Sequence, residues 1–172
     1  MKKLLVVVDM QKDFIDGALG TKEAVAIVPA VVEKIEDAAL EGRDIVFTRD
    51  THFDNYMDTQ EGKKLPVPHC IKDTEGWQIC VELAPYAKDK KIFDKITFGS
   101  VELMEYVKNS EYDDIELIGL CTDICVISNA MLIKAALPEA KITVIDKCMA
   151  GVTPASHLNA IEAMKMCQIE VI

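Results

Sequence analysis

The chain has 172 residues, of which 19 are Lys or Arg and 29 are Asp or Glu, so its formal net charge is −10. Half of the residues are hydrophobic, which is ordinary globular usage, and the length predicts a single domain over residues 1–172. An acidic chain without a Lys/Arg cluster is repelled by phosphate groups, which argues against nucleic acid and anionic membrane surfaces as partners.

Strand-like and helix-like patterns alternate along the chain. Continuous apolar runs predict buried parallel strands, in chain order at 4–9, 45–48, 92–93, 115–119, 142–145 and 169–172. Helix-period segments lie at 23–41, 78–84, 100–108, 124–136 and 155–166. Gly42 suits the end of the first helix, and Thr153-Pro154 suits the start of the last. The alternation predicts an α/β fold, a three-layer αβα sandwich around a six-stranded, mainly parallel sheet.

The first residues do not have the pattern of an export signal. Lys2 and Lys3 are followed by only five apolar residues before Asp9, and no run reaches the roughly 18–20 apolar residues of a membrane span. We therefore expect a cytoplasmic protein without a membrane segment. In that compartment the six cysteines are expected to be core residues, metal ligands or nucleophiles rather than disulfides.

Residues 49–77 form a long polar connection that departs from the short loops of the rest of the chain. The segment contains two of the three histidines and the only tryptophan. Long loops in compact domains are usually functional or disordered, and this mixture of His, Asp, Trp and Pro favours an ordered functional loop.

Reactive side chains follow four of the predicted strands. They are Asp9 after the first strand, Asp50 and His52 after the second, Lys95 after the third and Cys125 beyond the fourth. In open α/β sheets, ligands bind outside the carboxyl ends of the strands, where these residues would meet. A nucleotide or flavin site would instead need a glycine-rich turn after the first strand, which is absent.

Cys125 is the strongest candidate for a nucleophile. The segment GLCTDICVISNAM changes from strand to helix, so Cys125 falls near a helix N-terminus, where backbone N–H groups favour a thiolate and an oxyanion. None of the three histidines is obviously near Cys125. This leaves Asp9 as proton acceptor and donor and Lys95 as the group that stabilises the thiolate. A structural cysteine could occupy the same position.

Three motifs together give a family resemblance. The segments VVVDMQKDFIDGALG, DKITFGS and GLCTDICV occur in this order, and their combination resembles the isochorismatase-like cysteine hydrolase superfamily. The resemblance implies a catalytic triad of Asp9, Lys95 and Cys125. It also implies a non-proline cis peptide at Leu120–Cys121 and an oxyanion hole formed by the backbone N–H groups of Cys121 and Cys125.

The nicotinamidase-like branch of that superfamily is indicated by the long loop. Its D-x-H motif and later histidine fall on Asp50, His52 and His69, and Glu61 falls where some members supply a fourth metal ligand. One carboxylate and two imidazoles suit a divalent metal, with Zn²⁺ first and Mn²⁺ or Fe²⁺ as alternatives. The competing interpretation is that these are ordinary loop residues.

The resemblance implies a cysteine-dependent amidase that acts on a small-molecule amide. The expected reaction converts nicotinamide to nicotinate and ammonia through a thioester, a step of NAD salvage, with the ring held by Phe14, Phe98 and Trp77. An N-carbamoyl or ureido compound is the alternative substrate, and a non-catalytic binding protein or a redox-active dithiol protein is the alternative class. Family habit also suggests a homo-oligomer.

Overall fold

Six parallel strands form one sheet in the order β3-β2-β1-β4-β5-β6 in this computed structural model of residues 1–172. The strands are β1 (Lys3–Val8), β2 (Asp44–Asp50), β3 (Lys91–Lys95), β4 (Asp114–Leu120), β5 (Lys141–Ala150) and β6 (Glu170–Val171). The predicted α/β class and the six parallel strands are therefore confirmed.

Seven α-helices surround the sheet. They are α1 (Lys12–Ile15), α2 (Lys22–Leu40), α3 (Gln60–Lys64), α4 (Ala84–Ala87), α5 (Val101–Asn109), α6 (Ile127–Ala136) and α7 (Pro154–Met166). A 3₁₀ turn spans Tyr56–Asp58, and a π-helical turn, here called the cysteine turn, spans Thr122–Val126. None of the helices combines the length and the apolar character that crossing a membrane requires.

The predicted helix at 78–84 is wrong, because this segment is mostly extended and turned. Ile79 forms an antiparallel bridge with Gln11, and the N–H of Cys80 donates to the carbonyl of Met10 at 2.9 Å. Helical structure begins only at Ala84. The apolar residues of this segment pack against the chain that follows β1, so their spacing reflects that packing and not a helical face.

Both faces of the sheet are covered, as the three-layer prediction requires. Along β1 the side chains alternate, so that Leu5 and Val7 belong to one hydrophobic cluster and Leu4, Val6 and Val8 to another. Helix α2 covers the first cluster, and helices α5, α6 and α7 cover the second.

The strand order sets the position of the crevice. β1 pairs with β2 on one side and with β4 on the other, so the chain leaves the centre of the sheet in opposite directions. In such sheets the crevice lies at the carboxyl ends of the strands where the direction reverses. The residues that follow β1 and β4 therefore border the crevice.

Gly119 allows β1 and β4 to approach closely just before the crevice. Its φ is +113°, and a Cβ at this position would collide with the carbonyl oxygen of Val8 on the neighbouring strand. Gly42 also has a positive φ, of +70°, at the end of α2, but a Cβ there would meet no atom within 4 Å. Substitution of Gly119 therefore meets both an unfavourable backbone conformation and a steric collision, whereas substitution of Gly42 meets only the unfavourable conformation.

We expect Gly119→Ala to lower the free energy of unfolding by about 3 kcal/mol or more, because a disfavoured backbone conformation and a collision act together. Gly42→Ala, the matched control, should cost only about 1–2 kcal/mol from conformation alone. Urea unfolding of both variants measures the difference. Equal losses would show that the approach of Gly119 to Val8 is not a constraint.

Candidate active site

Asp9, Lys95 and Cys125 converge at the carboxyl ends of β1, β3 and β4. Nζ of Lys95 lies 2.6 Å from Oδ2 of Asp9 and 3.5 Å from Sγ of Cys125. All three residues are buried, with exposed fractions of 0%, 4% and 5% respectively. The structure therefore brings together the three residues that the sequence motifs indicated.

The strands position Asp9 and Lys95. Asp9 follows β1 with a φ of 46°, in the left-handed region that aspartate tolerates better than most residues. Thr48 of β2 donates its hydroxyl to Oδ1 of Asp9 at 2.6 Å, which fixes the carboxylate. Lys95 ends β3 and pairs in register with Asp50 at the end of β2. The adjacent strands β3, β2 and β1 thus bring Lys95, Asp50 and Asp9 to the same edge of the sheet.

Cys125 lies in the cysteine turn between β4 and α6. The Leu120–Cys121 peptide bond before the turn is cis, as the resemblance implies. The N–H groups of Ile124 and Val126 donate to the carbonyl of Cys121 at 3.1 and 3.0 Å, so the turn winds tightly around that residue. The carbonyl of Cys125 accepts a hydrogen bond from Nδ2 of Asn129 at 2.8 Å.

Burial raises the pKa of both the proposed proton donor and the proposed proton acceptor of the triad. Burial raises the pKa of the Cys125 thiol well above its ordinary value, although the Lys95 ammonium opposes this. Burial likewise raises the pKa of the Asp9 carboxyl, against the charge of Lys95. Burial alone would lower the pKa of Lys95, but Asp9, Cys125 and Asp50 raise it, so the ammonium stays charged. The more basic carboxylate is the natural acceptor of the thiol proton.

Four further side chains form a cluster that could hold a metal ion. Asp50, His52, Glu61 and His69 each direct one ligand atom inward, and these atoms all lie within 4.8 Å of one another. Oδ2 of Asp50 is 2.9 Å from Nε2 of His52 and 3.5 Å from Nε2 of His69. Oε1 of Glu61 is 3.5 and 3.7 Å from the same two nitrogens. Two imidazoles and two carboxylates are a donor set that fits Zn²⁺.

Hydrogen bonds and charges orient the side chains of the cluster. Nδ1 of His69 donates to the carbonyl of Val67 at 2.7 Å, because a carbonyl can only accept, and Nε2 is the nitrogen that faces Asp50 and Glu61. Burial would lower the pKa of His69, but the hydrogen bond and charge of Asp50, the Val67 carbonyl and the charge of Glu61 raise it. Burial would raise the pKa of Asp50, but hydrogen bonds from His52 and His69 and the charge of Lys95 hold it below its usual range, so its carboxylate is charged.

Pairing within the long loop brings the candidate metal ligands together. The N–H of His52 donates to the carbonyl of Cys70 at 2.9 Å, so the segment that carries His69 lies beside the end of β2. The N–H of Cys70 in turn donates to Oδ2 of Asp13 at 2.8 Å, which joins this segment to α1. The predicted functional loop is ordered by these contacts.

One cavity of about 870 Å³ is bordered by Cys125 and by the four-residue cluster, whereas Asp9 and Lys95 are not among the residues that line it. Its lining includes Cys125, Leu120 and Cys121 on one side and the four-residue metal cluster on another. Phe14 and Phe98, predicted to contact the substrate, also line it.

Trp77, the third predicted substrate contact, is not among the residues that line the cavity. Its indole N–H donates to Oγ1 of Thr51 at 2.9 Å, and the guanidinium of Arg49 stacks on its ring at 3.6 Å. Trp77 therefore supports Thr51, which does line the cavity, and its contact with substrate stays a prediction.

Gln11 is a site residue that the sequence analysis missed. Its side chain is fully buried and brackets the backbone of Asp50: Oε1 accepts from the Asp50 N–H at 2.7 Å, and Nε2 donates to the Asp50 carbonyl at 2.8 Å. Nε2 also donates to the carbonyl of Trp77 at 2.9 Å. The only signal in the sequence is its position two residues after Asp9, within DMQKDF.

Comparison with known proteins identifies the family. A model of the isochorismatase domain matches residues 3–172, so the chain belongs to the isochorismatase family. A nicotinamidase/pyrazinamidase of Mycobacterium tuberculosis is 24% identical over 99% of this chain and 98% of its own length.

Solved structures agree with this assignment. A pyrazinamidase of Pyrococcus horikoshii in complex with zinc has a TM-score of 0.85 and 28% identity, and the match covers 100% of this chain and 99% of that one. An N-carbamoylsarcosine amidase of Thermoplasma acidophilum has a TM-score of 0.81 and 26% identity over 99% and 95% of the two chains. These matches confirm the predicted family and the predicted class of enzyme, an amide hydrolase.

We expect Gln11→Glu to lower the free energy of unfolding by about 3 kcal/mol or more, because a carboxylate would face the carbonyls of Asp50 and Trp77 without a donor. Gln78→Glu is the matched control, since Gln78 is exposed, and should change stability by less than about 0.5 kcal/mol. Urea unfolding of the two variants checks this. A Gln11→Glu variant as stable as the control would contradict the bracketing role.

Proposed function

We propose that the protein hydrolyses nicotinamide to nicotinate and ammonia through a thioester on Cys125. The observation that carries the proposal is the placement of Lys95 within 2.6 Å of Asp9 and 3.5 Å of Cys125, together with the cavity that Cys125 shares with the four-residue cluster. The similarity to the nicotinamidase/pyrazinamidase of Mycobacterium tuberculosis and the pyrazinamidase of Pyrococcus horikoshii supports the substrate.

In the first half of the proposed reaction, Asp9 accepts the thiol proton and the sulfur of Cys125 attacks the amide carbon. The electron pair of the C=O bond moves to oxygen, and the backbone N–H groups of Cys121 and Cys125 stabilise the oxyanion. When the C=O bond re-forms, the C–N bond breaks, and Asp9 returns the proton to the leaving ammonia. Lys95 remains an ammonium and stabilises whichever neighbour carries the negative charge.

In the second half, a water molecule attacks the thioester carbon while Asp9 takes its proton. Collapse of the second tetrahedral intermediate breaks the C–S bond and releases the carboxylic acid. The thiolate recovers the proton from Asp9, so the residues end as they began.

A divalent cation belongs to the proposal, with Zn²⁺ first and Mn²⁺ or Fe²⁺ as alternatives. Asp50, His52, Glu61 and His69 would hold it, and it would supply a Lewis acid for a ring nitrogen or a water molecule. Phe14 and Phe98 would flank the flat ring. The centroid of the Phe14 ring lies 5.5 Å from that of His69, so the aromatic wall adjoins the metal cluster.

A second candidate substrate is an N-carbamoyl or ureido compound. The N-carbamoylsarcosine amidase of Thermoplasma acidophilum, with a TM-score of 0.81, favours this alternative. The same Asp9, Lys95 and Cys125 would perform the chemistry, because a ureido carbonyl is attacked by sulfur in the same way. Such a substrate has no pyridine ring, so the divalent cation would have no ring nitrogen to bind.

The proposal extends to the setting of the enzyme. We place it in the cytoplasm as a homo-oligomer of single domains spanning residues 1–172, with a role in NAD salvage. All six cysteines are free thiols, the state that a reducing compartment maintains.

We expect purified protein supplied with Zn²⁺ to release ammonia from nicotinamide, measured by a coupled ammonia assay. Cys125→Ala and Asp9→Asn should lower kcat by at least about 10³-fold, because nucleophile and proton acceptor act as a unit. Acid-quenched wild-type protein should carry an acyl adduct on Cys125 by mass spectrometry. Cys167→Ala removes an exposed thiol and should leave kcat unchanged.

Absence of ammonia release from nicotinamide, with metal supplied, would reject this substrate. Release from an N-carbamoyl amino acid under the same conditions would favour the second candidate. Full activity of Cys125→Ala would reject the covalent mechanism for either substrate.

We expect isothermal titration calorimetry of chelator-treated protein to show one Zn²⁺ bound per chain. Asp50→Asn and His69→Ala should weaken binding by at least about 100-fold, because each removes a ligand from a four-residue set. His157→Asn is the matched control, since His157 is the one histidine outside the cluster. Unchanged affinity in both cluster variants would place the metal elsewhere.

A further inference from the structure

A chain of three side chains connects the protein surface to the cysteine turn. Nε2 of His157, in α7, is 2.8 Å from Oδ1 of Asp146, whose side chain is 55% exposed on β5. Nδ1 of His157 is 2.8 Å from Oγ1 of Thr122, which is fully buried. Thr122 is the first residue of the cysteine turn and follows Cys121 directly.

The direction of these hydrogen bonds follows from their partners. An ionised carboxylate can only accept, so Nε2 of His157 carries the proton that it donates to Asp146. In the neutral imidazole Nδ1 is then an acceptor, and the Thr122 hydroxyl donates to it. Asp146 thereby sets the tautomer of His157, and His157 sets the orientation of the Thr122 side chain.

His157 is itself held in place by the chain that leads into α7. A Cβ on Gly151 would lie within 3 Å of His157, so the backbone at Gly151 packs directly against this residue. Thr153 and Ser156 form a reciprocal capping box at the start of α7. The segment that carries His157 is therefore a rigid support.

The cysteine turn depends on such outside contacts. Cys121, at its N-terminal end, makes no side-chain capping hydrogen bond. Asp123, which follows Thr122, accepts a hydrogen bond from the N–H of Val152 with both carboxylate oxygens, at 3.1 and 3.2 Å. Together with the bond of Thr122 to His157, this connects two successive residues of the turn to α7 and to the segment that precedes it.

We propose that His157 is a positioning residue that, through Thr122 and with Asp146, holds the cysteine turn in the conformation that aims the N–H groups of Cys121 and Cys125 at the substrate carbonyl oxygen. This inference rests on the proposed function, because it assigns a support to its oxyanion hole. His157 is not a catalytic residue, since its imidazole contacts Thr122 and Asp146 and not the reacting atoms.

The proposal predicts a particular kinetic signature. Donors that meet the oxyanion act mainly in the transition state, so their misplacement lowers kcat and leaves KM nearly unchanged. We expect Thr122→Val and His157→Leu to lower kcat by about tenfold or more, with KM within about twofold of the wild type. Thr122→Ser keeps the hydroxyl, and His157→Asn keeps an acceptor near the position of Nδ1. Both should stay within about threefold of wild-type kcat.

Hydrogen–deuterium exchange measures the same support without substrate. Peptides that cover residues 120–126 should exchange faster in Thr122→Val and His157→Leu than in the wild type, and at the wild-type rate in Thr122→Ser and His157→Asn. Glu162→Gln is the matched control on α7: it breaks the 2.8 Å pair with Lys165 and should change neither exchange in the turn nor kcat.

The outcomes separate this inference from the proposed function. Failure of the wild type to hydrolyse any amide would reject the proposed function. Exchange of residues 120–126 would still decide whether the side chains of Asp146, His157 and Thr122 hold the cysteine turn. Wild-type exchange and kcat in Thr122→Val and His157→Leu would overturn the inference. Losses of kcat in Thr122→Ser and His157→Asn as large as those in Thr122→Val and His157→Leu would also overturn it. So would a lower urea midpoint with unchanged kcat and unchanged exchange of the turn, because the contacts would then be merely structural.

Discussion

The site depends on one buried ammonium group. Nζ of Lys95 lies 2.6 Å from Asp9, 3.4 Å from Asp50 and 3.1 Å from the carbonyl of Thr97. A buried charge is tolerated only when such partners compensate for the lost hydration, and removal of one partner typically costs about 3–5 kcal/mol. Because Asp9 belongs to the proposed triad and Asp50 to the candidate metal cluster, Lys95 joins the two halves of the site.

The sheet is built so that this ammonium has its partners. Parallel strands in the order β3-β2-β1 place Lys95, Asp50 and Asp9 at successive carboxyl ends. Gln11 and Thr48 then fix the two carboxylates, one through the Asp50 backbone and the other through the Asp9 side chain. A different strand order would separate the charges and leave each of them without compensation. The strand order of the fold is therefore also what compensates the buried charge of Lys95.

The sequence was sufficient for residues whose role leaves a local pattern. Asp9, Lys95 and Cys125 each follow an apolar run, so the strand-end rule and the motifs located them together. The helix expected at 78–84 failed because apolar spacing does not distinguish a helix from an extended segment that pairs with the chain between β1 and α1. Gln11 and His157 were missed as site residues because their partners Asp50 and Thr122 are 39 and 35 residues away. Hydrogen bonds over such distances have no local signature.

The charge of the site supports the proposal of a divalent cation more strongly than its residue types do. Asp9, Asp50 and Glu61 meet a single ammonium, Lys95, and when all three are ionised their negative charges exceed that ammonium by two. Burial raises the pKa of Glu61, and the charge of Asp50 raises it further, whereas the charges of His52, His69 and Lys95 lower it. A divalent cation held by Asp50, His52, Glu61 and His69 would balance those charges and lower that pKa. Part of the acidic excess of this chain is thus concentrated where a metal would neutralise it.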